Sequence, residues 1–164
     1  MRPSMSMIRT VLAGVMTVFC CGAMAAAGEQ KDACSLLTKA EIQGAIGQNV
    51  GDGVLNPKAN PAVGQPCQYV AGSYGAFSIL KKTTGPGETA DNTIAELNKR
   101  KIATADVAGL GDRSFFSSPG YGMIQLNTFQ GSHYLVITIM VPGTTEAAQK
   151  SAAETLMRKA LARL

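Results

Sequence analysis

The chain of 164 residues contains no tryptophan, one histidine and few aromatic side chains, 5% in all. Any aromatic recognition surface therefore has to come from Tyr and Phe. A lone histidine cannot join the cysteines in a structural zinc site, and no H-E-x-x-H stretch is present. There is no G-x-x-x-x-G-K-[ST] phosphate loop and no G-x-S-x-G nucleophile elbow. Gly109-Leu110-Gly111 has two glycines of a dinucleotide loop, but the third is missing and a strand pattern follows where a helix should open. No cofactor or metal is expected. Charged residues are only 16% against 46% hydrophobic, which excludes a disordered tail protein. No internal apolar run reaches 18 residues, which excludes a multispan membrane protein and a span in the mature chain.

What is present begins with an export signal. Arg2 and Arg9 form a positive start, Val11 to Met24 carries no charge, and Ala25-Ala26-Ala27 supplies a small-residue cleavage site. This is the layout of a secretory signal peptide. The expected division is a signal peptide over 1–27 and one domain over 28–164, located in a periplasm or outside the cell. Cys20 and Cys21 raise a lipid anchor, but Phe19 stands before Cys20 where a lipobox requires a small residue, so anchoring is not expected. Loss of the signal removes two of the 15 basic residues and none of the 11 acidic ones, which lowers the net charge from +4 to +2. That charge makes no case for nucleic-acid binding.

Cys34 and Cys67 remain after cleavage. An even pair in an exported chain predicts a disulfide. Closing a loop of this length contributes roughly 3–4 kcal/mol in the chain-entropy model. Just after Cys34, Thr38-Lys39-Ala40-Glu41 is a capping box, flanked by Leu37 and Ile42 as a hydrophobic staple. The helix it starts is expected to stop at Gly47.

Residues 47–66 are rich in Gly, Pro and Asn and read as a long loop with a short strand near Val54-Leu55. A hairpin follows, with strands from Cys67 and over Gly75–Lys82. Thr89 caps a second helix to about Lys101, whose basic end suits the helix dipole. Three strands then form a meander over 113–117, 121–129 and 133–141. The last of them is apolar on both faces and is expected at the centre of the sheet. Thr144 or Thr145 starts a final helix with Ala153, Leu156, Met157, Ala160, Leu161 and Leu164 on one stripe and Lys150, Glu154, Arg158 and Arg163 opposite. The expected fold is α+β: an antiparallel sheet of five or six strands packed against helices, in the order helix, hairpin, helix, meander, helix.

No catalytic constellation stands out. Ser114, His133 and Asp112 can be combined on paper, but His133 sits at a hairpin end, where a solvated turn residue is the simpler reading. Asp112 reads as a turn bond and Arg113 as a surface charge. The residues left for a binding surface are Tyr69, Tyr74, Arg113, Tyr121 and His133, since Tyr joins an apolar ring to a polar tip.

Ala33-Cys34-Ser35-Leu36-Leu37-Thr38-Lys39-Ala40-Glu41-Ile42, Cys67-Gln68-Tyr69 and Gly109-Leu110-Gly111-Asp112-Arg113-Ser114-Phe115-Phe116 together resemble a family of small exported bacterial envelope domains of unknown function. Its pattern is C-S-L-L-T-x-x-E, then C-x-Y, then G-L-G-D, and many members are lipoproteins. The resemblance implies an α+β fold and an envelope location, and supplies no catalytic residue. Ser114 stands where the family has a small apolar residue. The expected function is non-catalytic: a module that binds a small apolar ligand or an envelope protein, with a concave Tyr-lined surface on an uncovered sheet face. The alternative is an inhibitor or accessory subunit of an envelope enzyme, acting through the 47–66 loop.

Overall fold

The computed structural model describes residues 32–56, 58–59 and 64–164. The expected signal peptide and both cysteines considered for lipid anchoring lie outside these residues. The described elements run in the order: a short 3-10 turn at Ala33–Ser35, α1 (Lys39–Ile46), β1 (Val54–Leu55), β2 (Gln65–Ala71), β3 (Gly75–Thr83), α2 (Ala90–Lys99), β4 (Ala103–Val107), β5 (Arg113–Gly120), β6 (Met123–Gln130), β7 (His133–Met140) and α3 (Glu146–Leu161). The seven strands form one antiparallel sheet ordered β1-β2-β3-β7-β6-β5-β4.

The strand number corrects the expected five or six. The short strand expected near Val54-Leu55 is present as β1, an edge strand whose Val54 and Leu55 pair with Gln68 and Cys67, and it makes the sixth. β4 was not anticipated. Its sequence, Ala-Thr-Ala-Asp-Val, has little apolar content, and pairing with the open side of β5 holds it. β5 also runs three residues beyond the expected Ser117. Ser118-Pro119-Gly120 form an irregularity in the ladder instead of a turn, and the chain reverses at Tyr121-Gly122.

β7 lies between β3 and β6, as its two apolar faces require. On the first face of the sheet, Cys67, Tyr69, Phe77, Ile79, Phe116, Ile124, Leu126, Leu135, Ile137 and Ile139 are buried beneath α1 and α3. α3 contributes Ala152, Ala153, Leu156, Met157 and Ala160 to this core. Small residues on that helix bring its backbone close to the strands. α2 lies on the second face, where Ala90, Ile94 and Leu97 pack against Phe115, Phe129 and Tyr134.

The N-terminal elements are tied down twice. Cys34 and Cys67 form a disulfide with Cα atoms 5.0 Å apart. At the same place, Glu41 completes the capping box by accepting from the Thr38 amide at 2.9 Å. Its carboxylate also receives two bonds of 2.7 Å from Arg163 and one of 3.2 Å from Lys159. Arg163, placed by period on the solvent side of α3, instead turns inward past the end of that helix and also donates to the Leu36 carbonyl at 2.7 Å. The start of α1 and the end of α3 are thereby clamped together.

The Gly-Leu-Gly-Asp turn is a packing device. Gly111 has φ +59°, and a Cβ there would come within 2.7 Å of the Phe129 carbonyl oxygen. Only glycine fits. Asp112 then accepts from the Gly131 amide at 2.6 Å and caps the β6–β7 turn.

The Arg163 guanidinium, foremost, with the Thr38 amide and Lys159, holds the Glu41 carboxyl well below the usual carboxylate range, against the opposing effect of burial. A carboxyl depressed in the folded state stabilises the fold above its unfolded pKa of about 4.3, and that contribution fades as pH falls further. Glu41→Gln is expected to lose about 2 kcal/mol in urea unfolding at pH 7. The gap to the parent protein should shrink at pH 3. A gap equally wide at pH 3 would contradict the ionised clamp.

Candidate functional site

α2 covers only one end of the second face. Beside it lies a groove of about 670 Å³ across β2, β3, β7 and β6. Its size falls within the usual range of small-molecule sites, about 300–1,000 Å³. The floor is apolar where Pro66, Leu80 and Val136 line up in register across three strands, and Leu97 of α2 forms a wall.

One step along the strands the floor becomes polar. Ser78, Thr138, Gln125 and Ser117 are cross-strand partners in a single row. Side-chain hydrogen bonds connect this row to Tyr134. The Tyr134 hydroxyl donates to Asn127 Oδ1 at 2.6 Å, and Asn127 Nδ2 donates to Ser117 Oγ at 3.0 Å. Ser117 Oγ donates to Gln125 Oε1, and Gln125 Nε2 to Thr138 Oγ1, each at 3.4 Å. Asn127 and Ser117 are almost fully buried, so these bonds are what make their burial tolerable.

The Tyr134 ring stacks on Phe129 with centroids 4.4 Å apart. Burial, and secondarily the Glu88 charge, push its hydroxyl pKa well above the ordinary tyrosine value. Lys82 lies 5.8 Å from the ring centroid and pairs with Glu88 at 2.6 Å. Burial works to raise the Glu88 pKa, but the Lys82 ammonium and the Gly85 amide outweigh it and hold the carboxyl below its usual value. Arg100, also lining the groove, is paired with Glu96 at 3.2 Å.

The five residues singled out from the sequence do not converge. Tyr69 faces the first-face core, only 5% exposed, with its hydroxyl 3.5 Å from the Leu37 carbonyl. Burial, then the Asp32 charge, raise its pKa. Tyr74 and Tyr121 are 85% and 98% exposed in turns at one end of the sheet. Arg113 and His133 lie at the other end. Arg113 pairs with Asp106 at 3.0 Å, and His133 Nδ1 is buried with no hydrogen-bond partner. Ser114 donates to the Leu110 carbonyl at 2.6 Å, and Asp112 is spent on the turn cap.

The groove residues escaped notice because each is ordinary in sequence. The available signal was the polar side of β6, Gln125 and Asn127, opposite a Thr on the otherwise apolar β7. Comparison with protein-family models, curated proteins and solved structures returns no match.

Tyr134→Phe keeps the ring and deletes the first link of the chain. It is expected to cost about 1–2 kcal/mol at pH 7. Because the folded pKa is raised, the hydroxyl's contribution is present below about pH 10 and is lost as pH climbs through the folded value. Spectrophotometric titration of the folded Phe variant should match the parent through the ordinary tyrosine range near pH 10 and lack only the late-ionising fraction; loss of a tyrosine from the ordinary range would contradict the assignment.

Proposed function

We propose that the chain is an exported, non-catalytic binding module of the bacterial envelope, and that its groove on the second face holds a small amphipathic molecule. The observation that carries this reading is the groove itself, where an apolar floor of Pro66, Leu80 and Val136 adjoins an ordered polar row. Val136 is buried in this floor while Pro66 and Leu80 stay part-exposed, which neither a fully covered core face nor an ordinary solvent face would show. The polar groups are few and fixed by one another, as in sites that orient a ligand.

The disulfide supports export, since such bonds persist in oxidising compartments. No helix of the described residues is long and apolar enough to cross a membrane. The resemblance to envelope domains agrees with both points. The described part of the 47–66 loop is stitched to β2 by the Gly51 and Asn56 amides and by the Val50–Ala71 bridge. It extends the sheet edge, and nothing in that geometry favours an inhibitory role.

Nile red, an uncharged apolar dye, tests the site. Saturable fluorescence enhancement is expected with the parent protein. Ser78→Trp, which fills the groove, should weaken binding at least about tenfold, or 1.4 kcal/mol, with an unchanged circular-dichroism spectrum. Replacing the exposed Tyr74 and Tyr121 by Ser should leave it unchanged. Equal binding by the filled variant, or loss on changing the turn tyrosines, would move the site out of the groove.

A further inference from the structure

The hydrogen-bonded chain under the groove has a direction. Asn127 Nδ2 lies 3.0 Å from Ser117 Oγ and also 3.5 Å from the main-chain carbonyl oxygen of Gln125. A carbonyl can only accept, so the amide of Asn127 is held with its nitrogen on that side. Its oxygen must then accept, which the Tyr134 hydroxyl satisfies. Ser117 accepts from Asn127, so its single proton goes on to Gln125 Oε1. That leaves Gln125 Nε2 to donate to Thr138 Oγ1. Every link points the same way, from Tyr134 at one end of the groove through the buried Asn127 and Ser117 to Gln125 and Thr138 at its polar floor.

Thr138 is the last member. Its oxygen is occupied as an acceptor, and among the described residues its proton has no acceptor in the protein. The Ser78 hydroxyl, directly across the β3–β7 pair, is likewise uncommitted. The groove's polar end therefore offers donors. Among its described lining residues it offers no spare charge: Lys82 and Glu88 neutralise each other, and Arg100 is engaged by Glu96. An ionic headgroup placed there would be desolvated without a partner.

We infer that the groove selects an uncharged amphipathic ligand that presents a hydrogen-bond acceptor, a carbonyl, ester or ether oxygen, to the hydroxyls of Thr138 and Ser78 while its apolar body lies on Leu80 and Val136. This rests on the reading of the groove as a binding site and adds the chemistry it selects. Tyr134, Asn127, Ser117 and Gln125 are positioning residues that act through Thr138. The proton sequence they impose keeps its hydroxyl turned outward.

The test uses two probes of one shape, 2-octanone and 2-methyl-1-octene, which differ in an oxygen acceptor against a CH₂ group. Binding is followed by methyl NMR shifts of Leu80, Val136 and Thr138. The ketone is expected to bind roughly three- to tenfold more tightly, the worth of one neutral hydrogen bond. Thr138→Val should abolish that preference without unfolding the strand. Ser117→Ala, which frees the Gln125 amide to turn over and draw the Thr138 proton inward, should reduce it although Thr138 is intact. Equal binding of both probes by the parent protein, or a preference that survives Thr138→Val or is undiminished in Ser117→Ala, would overturn the directed chain and leave the groove standing. Absence of any shift from either probe would overturn the groove reading itself.

Discussion

The structure depends on one constraint: β7 is apolar on both faces and lies in the middle of the sheet. Both sides of the sheet therefore need cover over the same strand. The chain supplies it unequally. α3, with sixteen residues, and α1 close the first face along its length. α2 has ten residues and closes only the end of the second face where Phe115, Phe129 and Tyr134 lie. The rest of that face, around Leu80 and Val136, keeps the apolar character set by β3 and β7 but has none of the described helices above it. The groove is the remainder of this unequal cover.

The closed face is also the reinforced one. α1 has only eight residues, too few to hold its place by helix propensity. The disulfide fixes the turn before it to β2, and Glu41 fixes its first turn to Arg163, across nearly the full length of the domain. Both devices act on the first face. Among the described residues the second face has no disulfide; the Lys82–Glu88 and Arg113–Asp106 pairs and the hydrogen-bonded chain from Tyr134 to Thr138 hold it. Stability and the proposed binding are thus divided between the two sides of one sheet, and the polar chain is the element that would serve both. It satisfies Asn127 and Ser117 in their buried positions, and it orients the hydroxyl that faces the groove.

Much of the fold was legible because local chemistry and burial agree. The capping box at Thr38 and Glu41, the hairpin alternation through Phe77 and Ile79, the central position of β7 and the stripe on α3 each follow from short-range pattern. Where long-range contacts decide, the sequence is silent. Ala103 to Val107 is a strand because β5 has an unpaired edge, which no property of those five residues announces. Arg163 leaves its solvent side because Glu41 lies within reach, 122 residues earlier in the chain. The site was the least legible part. Aromatic residues at strand ends drew attention, yet Tyr69 serves the core and Tyr74 and Tyr121 sit in turns. The residues that shape the groove's polar part are Ser78, Thr138 and Gln125, brought into one row by strand register, with Asn127 one row over beside Val136, and register is a property of the assembled sheet.

The most direct measurement of the central claim is native mass spectrometry of the protein purified under mild conditions from cells that produce it, beside the Ser78→Trp variant prepared in the same way. The account predicts a parent protein carrying a small neutral adduct that departs on collisional activation, and a variant that carries none. A parent chain that flies bare, or an adduct retained equally by the variant with the filled groove, would contradict it.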